Sequence, residues 1–136
     1  MATVNIIIPV NSENHDEVKL YYLNALLCKE GDGLLFLPIE NDSIALLIMN
    51  ASSEDEPLST ARKQLPHFSF EVQRNFLSFC LAAYKRGALF DMACRHPGGY
   101  YARLFDPVGN QFEIWCSSDE DDYIVETDQM PFFYTY

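Results

Sequence analysis

The chain predicts an α+β fold in which one architectural unit is used twice. Three observations carry this. A β-branched strand pattern near the N-terminus is followed at once by a helical pattern; the same succession begins again near residue 66; and turn-forming clusters separate short apolar runs at the end of each copy. With 136 residues, of which 49% are hydrophobic and 14% aromatic, the chain can bury a substantial core as one compact domain or two small fused modules.

The run 3–10 is β-branched and reaches Pro9 and Val10, the pattern of a buried strand. A helix follows. Asn14 with Glu17 forms a capping-box candidate, and Val18, Tyr21, Tyr22, Ala25 and Leu26 recur at the spacing of one apolar helical face. Gly31, Asp32 and Gly33 break the chain. The runs 34–39 and 44–49 are apolar and flank Glu40-Asn41-Asp42-Ser43, so they read as an antiparallel pair. The Ser, Glu, Asp and Pro content after residue 50 marks a linker over 51–65.

The second copy opens with strict alternation over 67–72: Phe68, Phe70 and Val72 on one face, His67, Ser69 and Glu71 on the other. Phe76, Phe79, Cys80, Ala83 and Tyr84 repeat the helical spacing, and Gly87 stands where a C-terminal cap belongs. The run 100–105, the turn Asp106-Pro107-Val108-Gly109-Asn110 and the run 111–116 reproduce the closing strand, turn and strand. Between helix and strands, His96-Pro97-Gly98-Gly99 is first of all a turn, with a lid as its alternative role. After residue 117 comes an acidic run, Asp119 to Asp122, read as a solvated loop, and then an aromatic end, Phe132, Phe133, Tyr134 and Tyr136, expected to dock on the body.

Nine Lys and Arg against 20 Asp and Glu give a formal charge of -11, which argues against nucleic acid as a partner. No stretch is apolar for long enough to span a membrane and no export signal is evident, so a cytoplasmic location is the expectation. Cys28, Cys80, Cys94 and Cys116 are widely spaced, form no Cys-x-x-Cys pair and read as packing residues.

Glu113 is the most informative single residue. A carboxylate among hydrophobic neighbours on a strand costs free energy unless a cation, a metal or a hydrogen-bond donor meets it, or unless it reaches solvent on an open sheet face. Alternation puts Gln111, Glu113 and Trp115 on one face and Phe112, Ile114 and Cys116 on the other. Trp115 therefore either lines a pocket beside Glu113 or plugs it as core. Tyr101 and Arg103 lie on the adjoining strand. Arg103 is expected in a surface salt bridge, with neutralisation of Glu113 or capture of an anionic group as alternatives.

Three segments, 5–10, 67–72 and 106–114, the last reading Asp-Pro-x-Gly-Asn-x-x-Glu, resemble the vicinal oxygen chelate superfamily of glyoxalase I, fosfomycin-resistance enzymes, extradiol dioxygenases and bleomycin-resistance proteins. The resemblance implies two β-α-β-β-β modules whose sheets curl into an incomplete barrel, a cup, in a single domain. Module 1 spans about 3–50 and module 2 about 66–117, with a C-terminal tail over 118–136. It also implies a homodimer.

Family enzymes hold a divalent metal with one residue on the first and one on the last strand of each module. Carried over, the second module supplies His67 and Glu113 as catalytic or metal-binding residues, while the first supplies Asn5 and Ala45. Ala45 has no ligating atom, and an Asn5 amide oxygen is a poor ligand for zinc, nickel or iron. The leading expectation is therefore a small-molecule binding protein without a cofactor, in which Asn5, His67, Tyr101, Arg103, Glu113 and Trp115 line the cup. Its ligand is expected to be cationic, as the acidic surface suits. The alternatives are a lyase or isomerase of glyoxalase I type using zinc, nickel, iron or manganese, and an interaction module with a vestigial, filled cup. Without a metal, His67 and Glu113 would form a hydrogen-bonded acid-base pair.

Overall fold

A computed structural model describes residues 4–38, 44–50, 68–117 and 127–135. The linker, His67 and the acidic run lie outside the described residues, and Asn5 is described by its strand register alone. The first copy runs β1 (Val4–Val10), α1 (His15–Asn24), β2 (Lys29–Gly31), β3 (Leu34–Phe36) and β4 (Ile44–Asn50). The second runs β5 (Phe68–Glu71), α2 (Phe76–Lys85), β6 (Leu89–His96), β7 (Gly99–Phe105) and β8 (Gln111–Cys116), and β9 (Phe133–Thr135) follows. Both copies are therefore β-α-β-β-β.

Among the described residues the strands form two mixed sheets, ordered β1-β4-β3-β2 and β5-β8-β7-β6-β9, which do not close into a barrel. In each copy the first and last strands are parallel neighbours, a pairing that needs a long crossover, here supplied by the helix and the middle strands. Asn5 registers with Ala45 in the first sheet, and Ser69 registers with Glu113 in the second.

The helices follow their periodicity and depart from expectation at one cap. Val18, Tyr22, Ala25 and Leu26 of the first helical run are buried, as are Phe76, Cys80 and Ala83 of the second. Asn14 is the N-cap of α1, but its side chain makes no capping bond. A 3-10 turn, Ser12–Asn14, precedes it and holds Asn14 at φ -104° and ψ 0°, away from the extended backbone that lets a cap side chain fold back. At the other end of α2 the expected glycine cap is complete. Gly87 adopts φ +104°, its N–H bonds Tyr84 O at 3.0 Å, and Ala88 N–H reaches back to Ala83 O at 2.9 Å.

Two strands were not separately legible. β2 pairs with β3 through Asp32 and Gly33, both at positive φ, so the chain break at Gly31-Asp32-Gly33 is a two-residue hairpin turn. β6 pairs with β7 through Pro97 and Gly98, so the turn expected at His96-Pro97-Gly98-Gly99 is a tight hairpin turn as well.

One continuous core joins the copies. Tyr22, Phe76, Phe112, Leu46, Leu104 and Ile114 are all fully buried in it. Each such side chain contributes about 1.5–3 kcal/mol. The Phe68 and Phe112 rings stack at 4.9 Å.

The Asp-Pro-Val-Gly-Asn turn ties this core together. Asp106, 2% exposed, accepts hydrogen bonds from Val108 N–H (3.0 Å), Asn110 N–H (2.9 Å) and Asn110 Nδ2 (2.9 Å). Asn110 Nδ2 also reaches Pro9 O in the first copy, at 3.2 Å. From α1, Tyr22 donates to Asp106 and Tyr21 donates to Phe105 O at 2.7 Å.

The aromatic tail docks on the body, as expected, and does so as a strand. β9 runs parallel to β6 along the edge of the second sheet, with Phe132 stacked on Phe90 at 4.2 Å and Met130 1% exposed. All four cysteines are free and buried, and burial pushes the Cys28 thiol up to about 12. Among the described residues, no helix is long and apolar enough to cross a membrane.

Candidate functional site

Strand alternation divides the second sheet into a helix-packed face and an open face. Phe112, Ile114 and Cys116 of β8 and Tyr100, Ala102 and Leu104 of β7 are buried beneath the helices. Glu113, Trp115 and Tyr101 point the other way. With Met92, Cys94 and His96 of β6 they line an open concavity of about 430 Å³. Trp115, the single tryptophan, is 43% exposed and walls the concavity rather than plugging it.

Glu113 meets a donor. Arg103 registers directly across from it, Tyr101 registers with Trp115, and the Tyr101 hydroxyl donates a short hydrogen bond diagonally to Glu113 Oε2. The Tyr101 and Trp115 rings lie 4.6 Å apart. Burial, then the hydrogen bond and charge of Glu113, push the Tyr101 hydroxyl well above the ordinary tyrosine value. At neutral pH this phenol stays protonated and acts as a donor.

Arg103 makes the expected surface salt bridge, at 2.7 Å from Nε to Asp91 Oδ2, and that hydrogen bond raises its already high pKa. The partner is available because a register shift between Phe90 and Met92 bulges β6 at Asp91. Arg103 is thus paired at the rim, outside the residues lining the concavity.

Of the other sequence-predicted site residues, His67 lies outside the described residues and the side chain of Asn5 is likewise not described. Glu113, Tyr101 and Trp115 come together. Met92, Cys94 and His96 were missed. Their signal was an alternating run bounded by the Gly87 cap and the Pro97-Gly98 turn, interrupted by the bulge.

His96 is the least settled of these groups. Its Nδ1 accepts the Gly98 N–H at 3.1 Å, while its Nε2 is shut off from solvent and has no hydrogen-bond partner among the described residues. An unmet buried donor costs about 1–3 kcal/mol.

The described residues do not assemble the metal ligands of the family enzymes. No group of three or more His, Cys, Asp or Glu side chains among them is placed to hold an ion. The residue in register with Glu113 is Ser69, and the counterpart of Glu113 in the first sheet is Ala45, which registers with Asn5.

No protein-family model matches the chain, and no curated protein sequence matches it. Solved structures do. A glyoxalase/bleomycin resistance protein/dioxygenase from Alicyclobacillus acidocaldarius is 21% identical with a TM-score of 0.60, over 89% of this chain and 96% of its own. The fosfomycin resistance protein FosX from Listeria monocytogenes is 15% identical with a TM-score of 0.61, over 87% and 94%. TnmS3, an antibiotic binding protein from Streptomyces sp. CB03234, is 18% identical with a TM-score of 0.58, over 87% and 97%. The fold shared with these proteins is the one that the Asp-Pro-x-Gly-Asn-x-x-Glu resemblance implies.

Proposed function

On the premise of a vicinal oxygen chelate fold, we propose that this chain is a small-molecule binding protein whose guest is an aromatic or apolar cation. One observation carries the reading. A carboxylate, Glu113, sits beside two aromatic rings in a concavity of about 430 Å³ that is open to solvent. A cation there gains the attraction of Glu113 and of the ring faces, and the apolar body of the ligand covers Met92 and Trp115. The net charge of -11 draws cations toward the site. The likeness to TnmS3, described as antibiotic binding, supports ligand capture as the role.

A homodimer accompanies this reading. Ile7 is 52% and Met49 44% exposed, on the face of the first sheet turned away from the core. A second copy would cover them. Sedimentation analysis tests this, and a monomer at micromolar concentration would remove it.

The binding reading is tested by titrating quench of Trp115 fluorescence with aromatic amines and their neutral alcohol counterparts. The amines should bind better in the wild type and lose that advantage in Glu113→Gln. A response that ignores ligand charge, or none at all, would sink the proposal. Metal analysis of protein purified without chelator tests the enzymatic alternative. Stoichiometric zinc, nickel, iron or manganese that disappears in His67→Ala would favour the lyase or isomerase reading.

A further inference from the structure

Arg103 and Glu113 stand directly opposite each other on β7 and β8. Both belong to the open face, because the residues flanking them, Ala102, Leu104, Phe112 and Ile114, are buried on the other. Opposite charges so placed have Cβ atoms about 4.5–5.5 Å apart and pair favourably. Here they do not pair. Glu113 Oε2 accepts the Tyr101 hydroxyl, and Arg103 Nε donates to Asp91 Oδ2 at 2.7 Å. The two charges still feel each other: the Asp91 hydrogen bond does most to raise the Arg103 pKa, and the charge of Glu113 adds to it.

The bulge in β6 supplies the diversion. Phe90 registers with Leu104 and Met92 with Arg103, so Asp91 is the extra residue and stands with Met92 against the single Arg103. β7 lies between β8 and β6. Arg103 therefore has an acidic residue on each side, Glu113 in the concavity and Asp91 outside it, and takes the one outside. Glu113 keeps its place in the concavity with a neutral phenol as its partner, and its charge is not cancelled.

We propose that Asp91 is a positioning residue that holds Arg103 off Glu113 and so keeps this carboxylate free for a cationic guest. Resting on the binding function above, this adds to the site a residue that touches no ligand and acts through Arg103. Without Asp91, Arg103 turns to the carboxylate across the strand. An incoming ammonium then has to displace a guanidinium already in place, and the site loses its preference for cations.

The test compares 4-isopropylbenzylamine with 4-isopropylbenzyl alcohol, titrated against Trp115 fluorescence in the full chain. The salt is held at about 0.15 M, where charges more than about 8 Å apart are largely screened. The amine's advantage should fall about fivefold in Asp91→Asn, the upper range for an ion pair that reaches solvent. It should return largely in Asp91→Glu, which restores the carboxylate. The Asp91 and Arg103 side chains are 38% and 39% exposed, so these variants retain the fold. A double-mutant cycle separates positioning from the mere loss of a negative charge. The cost of Asp91→Asn should vanish when Arg103→Gln is also present, whereas a field effect alone is the same in both backgrounds. Equal costs in the two backgrounds, or no cost in either, would overturn the inference and leave the cationic site standing. A wild type that shows no preference for the amine would overturn both.

Discussion

The Tyr22 hydroxyl donates a 3.0 Å hydrogen bond to Asp106 Oδ2, joining residues 84 positions apart across the two copies. Both side chains are buried, Tyr22 completely. The turn that carries the most specific sequence signature is therefore also a fastening between the halves. Tyr22→Phe removes a donor from a buried carboxylate without opening a cavity. It should lower the unfolding free energy by about 1–3 kcal/mol in urea, with the denaturant slope unchanged.

Asp106 also sets a pH dependence. Burial raises its pKa above the ordinary carboxylate value, against the opposing pull of the hydrogen bonds from Asn110, Tyr22 and Val108. In the window between the unfolded and folded values the native state binds more protons than the unfolded chain. The contribution of Asp106 to stability is thus full below that window and declines as pH rises through it. The difference in stability between wild type and Asp106→Asn, measured by denaturation across the acid range, should shrink with rising pH over that interval. A difference that grows would contradict the raised value.

Tyr101 should titrate late. Its hydroxyl is raised by burial and by Glu113, and burial also raises Tyr21 and Tyr22. Spectrophotometric titration should show a fraction of the 8 tyrosines ionising well beyond the ordinary range. Tyr101→Phe should remove one ring from that late fraction. Glu113→Gln should move one ring to lower pH while burial keeps it above normal.

The C-terminal strand is structural. Removal of residues 127–136 would strip Met130 and Phe132 from their contacts and uncover the β6 edge. A loss of about 2–5 kcal/mol is expected, with concentration-dependent association through the bared edge on size-exclusion chromatography. An unchanged melting temperature would refute a packing role.

Periodicity made the helix faces, the strand after Asp106 and the Gly87 cap readable, because each depends on neighbours close in sequence. Glu113 and Trp115 could be placed on one face by alternation alone, whereas the face of Tyr101 depends on the register between β7 and β8. β6 stayed hidden because the bulge at Asp91 interrupts its alternation, and with it went His96, whose unmet Nε2 depends on a turn and a neighbouring ring. The tail was legible as docked from its aromatic content, but its strand pairing depends on an edge that composition does not report. Register across a parallel pair was equally unreadable: nothing local to β5 announces that Ser69 stands across from Glu113.

The parallel partnership of β5 with β8 constrains how the second copy is made. As the chain leaves the ribosome, β5 appears first, yet its neighbour in the sheet arrives only after α2, β6 and β7 have been synthesised. Until then Phe68 and Phe70 lack the strand they are registered with, while β6, β7 and β8 can pair by successive hairpins. Assembly of this half therefore finishes by capturing its oldest strand, and a nascent chain halted before Gln111 would expose two phenylalanines to chaperones.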